Sequence, residues 1–223
     1  MIDSNLARNV LTEALASGGD FAELFCEDTE STSITMSRGE VENATYSRVR
    51  GIGIQVLSGT QSSYAYTADT SEDALLATAR AASAGLRDVA AAAPVLIPAF
   101  QTVEHARQDA VYFGNTTNAQ RIGLLRSMYA AASGHSEEIK QVQCRYLDSD
   151  QRVWVINSDG LWASTRRPYT RIVVVAVASD GSSTQTGFRG PGFGRGFDVY
   201  EKIDTAALGR EAAEMAVTML HAP

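Results

Sequence analysis

Three histidines, two cysteines and a scatter of aspartates are the side chains of this sequence that could bind a metal, attack a carbonyl or relay a proton. Their spacing assembles none of these. Two ligands on one helix face need a His-Glu-x-x-His arrangement or similar, and His105, His135 and His221 have no such neighbours. Cys26 and Cys144 lack local ligand partners, and neither sits in the context of a Cys-His nucleophile. Asp69, Asp73, Asp148, Asp150 and Asp159 fall where turns or helix starts are expected, and there a carboxylate bonds nearby backbone N–H groups. No catalytic, cofactor-binding or metal-ligating residue is expected among them.

The glycine-rich run over 187–197 offers a different chemistry. Glycines let a chain reverse or approach a ligand closely, and Arg189 and Arg195 could attract a carboxylate or phosphate. The run matches neither a dinucleotide fingerprint nor a P-loop, so it reads as a connector or as a peptide-facing or interface loop carrying Arg189, Phe193, Arg195 and Phe197. Arg48, Arg50, Arg166, Arg167 and Arg171 read as strand-end solubilising charge. Tyr64 and Tyr66 share a strand face, with core packing expected ahead of recognition.

The chain has 223 residues, 44% hydrophobic and 20% charged, a balance that predicts a folded globular protein. A net charge of -7 does not favour direct nucleic-acid binding, which needs concentrated Lys and Arg. Two widely separated cysteines in strand-like segments predict reduced, partly buried thiols, which fit the cytoplasm. The N-terminus lacks the pattern of a secretory signal, and no apolar run approaches the roughly 20 residues of a membrane span.

The elements that must position these residues follow from periodicity. A helix over 5–16, capped by Ser4 and stopped by Gly18 and Gly19, leads to strands over 21–26, 33–36, 41–48, 51–57 and 61–66. Turns are expected at 37–40 and 58–59. A helix to about residue 84 starts at a Thr70/Asp73 cap. Residues 88–118 read as a spacer with an alanine run at 90–93 that could extend a helix briefly. Asn118 caps a helix over 119–132, ended by Gly134. Strands follow over 139–147, 152–156, 172–177 and 183–188, with turns at 148–150, 157–160 and 180–181. The last helix starts at Thr205 with an apolar stripe of Leu208, Ala212, Met215 and Met219. The expected class is α+β, mixed or antiparallel sheets with flanking helices, in two helix-strands-helix halves at 1–87 and 119–223.

The passage 48–59 (Arg-Val-Arg-Gly-Ile-Gly-Ile-Gln-Val-Leu-Ser-Gly), with Ser-Tyr-Ala-Tyr at 63–66 and Thr-Ser-Glu-Asp-Ala-Leu at 70–75, resembles the N-terminal region of the TldD/PmbA family of peptidases. The turn at 37–42, Asn157 to Gly160, Arg166-Arg167-Pro168, the glycine-rich run and Phe197-Asp198 follow in the same regional order, closer to the TldD branch. The resemblance implies a zinc-dependent peptidase acting on peptides or unfolded segments, with its His-Glu-x-x-x-His segment in a C-terminal domain absent from this sequence. Zinc is thus expected outside these residues, and the chain itself to be inactive, serving substrate admission and assembly. Implied partners are a peptide or unfolded protein and a second copy or a PmbA/TldE-like protein. A non-catalytic interaction module is the alternative, with DNA gyrase modulation a weaker regulatory one.

Overall fold

The computed structural model describes residues 2–86, 95–106 and 112–222. In chain order the elements are α1 (Ser4–Ala14), β1 (Phe21–Ser37), β2 (Glu40–Ser58), β3 (Gln61–Thr67), α2 (Glu72–Ala84) and β4 (Gln101–Ala106). There follow α3 (Asn118–Ser133), β5 (Ile139–Asn157), β6 (Leu161–Ser179), β7 (Thr184–Arg189), β8 (Gly192–Phe193) and α4 (Thr205–Leu220). The hydrogen-bonded strand order is β3-β2-β1-β5-β6-β4, with β7 and β8 also pairing β6. Pairing is antiparallel for β2–β3, β6–β7 and β6–β8 and parallel for β4–β6. The expected α+β class with two helix-strand-helix halves holds. The alanine run at 90–93 lies outside the described residues. Among the described residues no helix is long and apolar enough to cross a membrane.

The strands are longer than periodicity indicated. Residues 21–26 and 33–36 belong to one strand of 17 residues, 41–48 and 51–57 to one of 19, and 139–147 and 152–156 to another of 19. No turn forms at 148–150. Asp148 and Asp150 are buried in mid-strand, so their carboxylates do not cap local backbone as expected. Arg166, Arg167 and Arg171 likewise lie inside a 19-residue strand rather than at strand ends. The turn at Arg38-Gly39 forms as expected, with φ of 52° and 79°, the doubly positive geometry that suits the twist of a tight hairpin.

The last helix starts at Thr205 as expected, whereas the caps of the other three are shifted by one residue. Asp3, not Ser4, caps α1 by accepting from the N–H groups of Asn5 and Leu6, each at 2.9 Å. Ser71, not Thr70, caps α2 by accepting from Ala74 N–H. Thr117, not Asn118, caps α3 in a reciprocal box with Gln120.

The chain divides into two compact units. The first comprises residues 1–29, 48–107 and 151–166. Its core joins Val10, Leu11 and Ala14 of α1 and Leu75, Ala79 and Ala82 of α2 to Leu24, Ile52, Ile54, Val56 and Ile156 of the strands. Ser17 of the loop after α1 and Ser83 of α2 share three hydrogen bonds: Ser17 donates through its N–H at 3.1 Å and its hydroxyl at 2.7 Å, and the Ser83 hydroxyl donates to the Ser17 hydroxyl oxygen at 2.8 Å.

The second unit comprises 30–47, 108–150 and 167–223. Its core sets Leu125, Met128 and Ala132 of α3 and Ala212, Ala213 and Ala216 of α4 on Ile34, Met36, Val142, Cys144, Ile172 and Val174. Of the expected stripe on α4, Ala212 is buried but Met215 and Met219 are exposed, and Thr205, Gly209, Ala213 and Ala216 face inward instead. The reason is backbone proximity. A methyl on Gly209 would overlap the carbonyl oxygen of Met128 in α3, and one on Gly187 of β7 would overlap that of Ala212 in α4. Only small residues allow helices and strand to meet this closely.

An ion pair between Arg121 and Asp148 is enclosed in this unit. Arg121 of α3 donates from Nε to Asp148 Oδ2 at 2.9 Å, with a second guanidinium nitrogen at 2.8 Å, and from Nη1 to the Thr116 carbonyl at 2.7 Å. The Tyr146 hydroxyl donates to the same carboxylate oxygen at 2.8 Å. Neutralising one partner strands the other in a medium that cannot solvate it. Asp148→Asn is expected to cost about 3 kcal/mol in urea unfolding, with the Arg121→Met/Asp148→Leu double variant recovering much of that loss. Gly209→Ala should destabilise by at least about 1–3 kcal/mol through overpacking. Gly123→Ala, in α3 with open space around it, should stabilise by about 0.5–1 kcal/mol.

Candidate functional site: an arginine and tryptophan cleft

A cleft of about 530 Å³ opens in the first unit, on the strand face that also carries its core. Alternation explains the lining. Side chains two apart share a face, so β2 contributes Arg48, Arg50 and Ile52, β5 contributes Arg152, Trp154 and Ile156, and β6 contributes Trp162 and Arg166. From β1 come Cys26, Glu27 and Asp28. Ile2 and Thr70, the residues ahead of the caps of α1 and α2, complete the rim, placing two helix N-termini beside it.

Four guanidinium groups face two carboxylates in this lining. Arg48 grips Asp28 through two parallel bonds, Nε to Oδ1 and Nη2 to Oδ2, both 2.7 Å. That hydrogen bond, with the charges of Arg48, Arg152 and Arg50, holds the Asp28 carboxyl below the usual carboxylate range. Glu27 accepts from the Gln151 amide at 3.0 Å and the Thr29 hydroxyl at 2.6 Å. Both carboxylates are thus committed to neighbours in the unit.

The aromatic wall is held from behind. Arg8 of α1 donates to the carbonyls of Ile97 and Pro98 and lies over the Phe100 ring, 5.1 Å from its centroid. Phe100 in turn meets Trp162 edge-on at 5.4 Å. Cys26, at the floor, is buried, and burial pushes its thiol up to about 11. At neutral pH it is a small apolar surface rather than a nucleophile. The site can therefore bind an anionic group beside an aromatic or apolar one. Nothing in its lining provides a general base next to an activated nucleophile.

Arg48, Arg50 and Arg166, expected to be solubilising charge, converge here, whereas Arg152, Trp154, Trp162 and Asp28 carried no signal in short strands. Their signal was alternation over longer strands: Arg-x-Arg-x-Ile at 48–52 and Arg-x-Trp-x-Ile at 152–156 repeat one pattern. The glycine-rich loop residues sit in the second unit. Arg189 donates to Glu211 at 2.8 Å and Arg195 lies 3.6 Å from Asp198. Phe193 and Phe197 both pack on Tyr200, at 6.4 and 5.5 Å between centroids. Tyr64 and Tyr66 are exposed, not core, and stack at 6.4 Å. Tyr64 lies over Gly53, where the missing side chain of the neighbouring strand makes room for the ring.

His105 and His135 are exposed, and exposed His221 pairs with Glu138 at 2.9 Å. Among the described residues no group of three or more His, Cys, Asp or Glu could hold a metal ion. The donor set does not fit zinc.

Two family models match the sequence: PmbA/TldA metallopeptidase domain 1 over residues 22–86 and the PmbA/TldA metallopeptidase central domain over 111–220. The chain is 27% identical over 207 residues to a metalloprotease of Methanothermobacter thermautotrophicus, covering 91% of this chain and 44% of that protein. It is 24% identical over 210 residues to a metalloprotease TldD homolog of Haemophilus influenzae, covering 91% and 43%. It spans less than half the length of these curated relatives. Among solved structures it resembles a candidate modulator of DNA gyrase from Thermotoga maritima, with a TM-score of 0.77, 14% identity, and coverage of 98% of this chain and 49% of that one. TldE from Thermococcus kodakarensis gives a TM-score of 0.68 at 12% identity, covering 95% and 47%. These low-identity likenesses concern the fold.

The Asp28 pair makes a pH-dependent contribution of calculable sign. Its folded pKa is depressed, so the stabilisation is complete above the unfolded value near about 4 and is lost as the pH falls through the folded value. Thermal melts of Asp28→Asn should show about 1 kcal/mol less stability than the parent at pH 7, with the gap closing below about pH 4.

Proposed function

The chain belongs to the PmbA/TldD metallopeptidase family, and we propose that it forms the part of such a peptidase that admits an extended substrate and supports assembly. What supports the reading is the make-up of the cleft. Asp28, Arg48, Arg50 and Thr70 fall within the domain 1 match, and Arg152, Trp154, Trp162 and Arg166 within the central-domain match. Both family domains thus build one concave surface able to hold a peptide. The resemblance assigns peptide-bond hydrolysis to zinc held outside these residues, and no step of that hydrolysis is ascribed to the side chains described above. The partners in this reading are a peptide or unfolded segment and a second copy or a TldE-like protein, and the compartment is the cytoplasm. The glycine-rich stretch with Arg189, Phe193, Arg195 and Phe197 serves as an interface loop, and residues 88–118 as a spacer that carries β4 and runs into the start of the central-domain match.

The test compares the 223-residue chain with the product of the complete reading frame that contains it, each assayed for cleavage of unfolded fluorogenic peptides with added zinc and after chelation. Zinc-dependent cleavage by a longer product and none by the 223-residue chain is expected. In that longer product Trp162→Ala should raise KM several-fold with kcat nearly unchanged, the mark of lost ground-state binding. Cleavage by the 223-residue chain alone, or none by either product, would sink the reading; in the second case a non-catalytic interaction module takes its place.

A further inference from the structure

The cleft's chemistry selects among peptides. Arg50 and Arg152 lie close enough to Asp28 for their charges to act on its carboxylate, and Arg166 adds a fourth guanidinium to the same lining. Arginine's planar fork matches a carboxylate in two parallel bonds, and the Arg48–Asp28 pair shows that geometry already realised within the cleft. Two indoles, Trp154 and Trp162, stand beside these cations and are partly buried against the unit's core. Their flat faces suit an aliphatic or aromatic side chain at low entropic cost. A volume of about 530 Å³ holds a few residues of an extended chain.

We propose that this cleft recognises acidic peptide segments, a Glu or Asp carboxylate lying on Arg50 and Arg152 while the adjoining apolar side chain packs on Trp154 and Trp162. The proposal rests on the peptide-admission reading for the kind of macromolecule; the arginines and tryptophans determine which peptides. The carboxylates of Glu27 and Asp28 place negative charge in the same lining. They repel a polyphosphate chain more than a single carboxylate, and this argues for an acidic peptide over a nucleotide.

Both tryptophans of the chain line the cleft, so intrinsic fluorescence reads its occupancy with no label. The experiment titrates the 223-residue chain with the blocked peptide acetyl-Ala-Glu-Phe-Glu-Ala-amide, its Gln-for-Glu counterpart, and inorganic phosphate. A saturable fluorescence change is expected for the Glu peptide, at least about ten-fold weaker for the Gln peptide, and weakening as salt is raised. Arg50→Gln and Arg152→Gln should each lower the Glu-peptide affinity about ten-fold, with Arg50→Lys recovering part of it. Arg50 is exposed, so its variants are expected to fold, which circular dichroism checks. For any variant that does not fold, the wild-type Glu and Gln titrations decide.

Equal affinity for the two peptides, or no fluorescence change in folded protein, overturns the proposal. Tighter binding of phosphate than of the Glu peptide overturns it in favour of a phosphate site. Acidic-peptide binding by a chain whose complete reading frame shows no peptidase activity would leave this specificity standing while the peptidase reading falls. Zinc-dependent cleavage without any preference for acidic peptides would do the reverse.

Discussion

Strand register is the constraint on which this structure turns. Four strands of 17 to 19 residues carry the walls of both cores and every strand-borne residue of the cleft. A slip of one residue in any of them would turn its cleft-lining side chains to the other face and its apolar residues out of the core. Two short connections resist such a slip. At Arg38-Gly39 two consecutive residues of positive φ close the β1–β2 hairpin. Between β5 and β6, the Asn157 side chain accepts from the N–H groups of Asp159 and Leu161, and Gly160 takes a φ of 88°. Burial of one face in each unit makes any alternative register expensive.

That constraint also explains where the polar groups sit. The alternation of β5 that buries Val142, Cys144 and Tyr146 also places Asp148 and Asp150 on the buried face. The cost is met locally: α3 supplies Arg121, and Tyr146 donates its hydroxyl to the same carboxylate. Nearby, the hydroxyls of Thr170 and Tyr200 bond each other at 2.8 Å, while the rings of Phe197 and Phe193 pack edge-on against the Tyr200 ring. In the first unit the corresponding polar load lies in the open cleft, where water and a ligand can share it. The same sheet architecture thus yields a sealed network in one unit and an accessible one in the other.

Much of this was legible in the sequence, and the failures share a cause. Turns were readable because Arg38-Gly39, Asn157 to Gly160 and Asp180-Gly181 carry the residues that such geometry needs. The strands were cut short because polar clusters such as Asp148-Ser149-Asp150 look like turns when no partner can be seen. Arg121 lies 27 positions from Asp148, and nothing local announces that pairing. Helix caps missed by one residue at three places where two capping types stand side by side, Asp3-Ser4, Thr70-Ser71 and Thr117-Asn118. On α4 the methionines suggested the buried face, but the close approach at Gly209 and Gly187 selects for small side chains instead. The cleft went unread because its alternation becomes visible only when the strands are taken at full length.

The two cysteines fall one to each core, Cys26 in the first unit and Cys144 in the second, and burial pushes their thiols up to about 11 and about 12. Cys144 has no exposed surface, so it reacts with a disulfide reagent only when its surroundings open, and its modification rate in a Cys26→Ser variant measures a local opening equilibrium of the second unit. Cys26 lines the cleft, and its rate in a Cys144→Ser variant reads access to that cleft instead. The molecule therefore carries two built-in probes, one of core opening and one of cleft access.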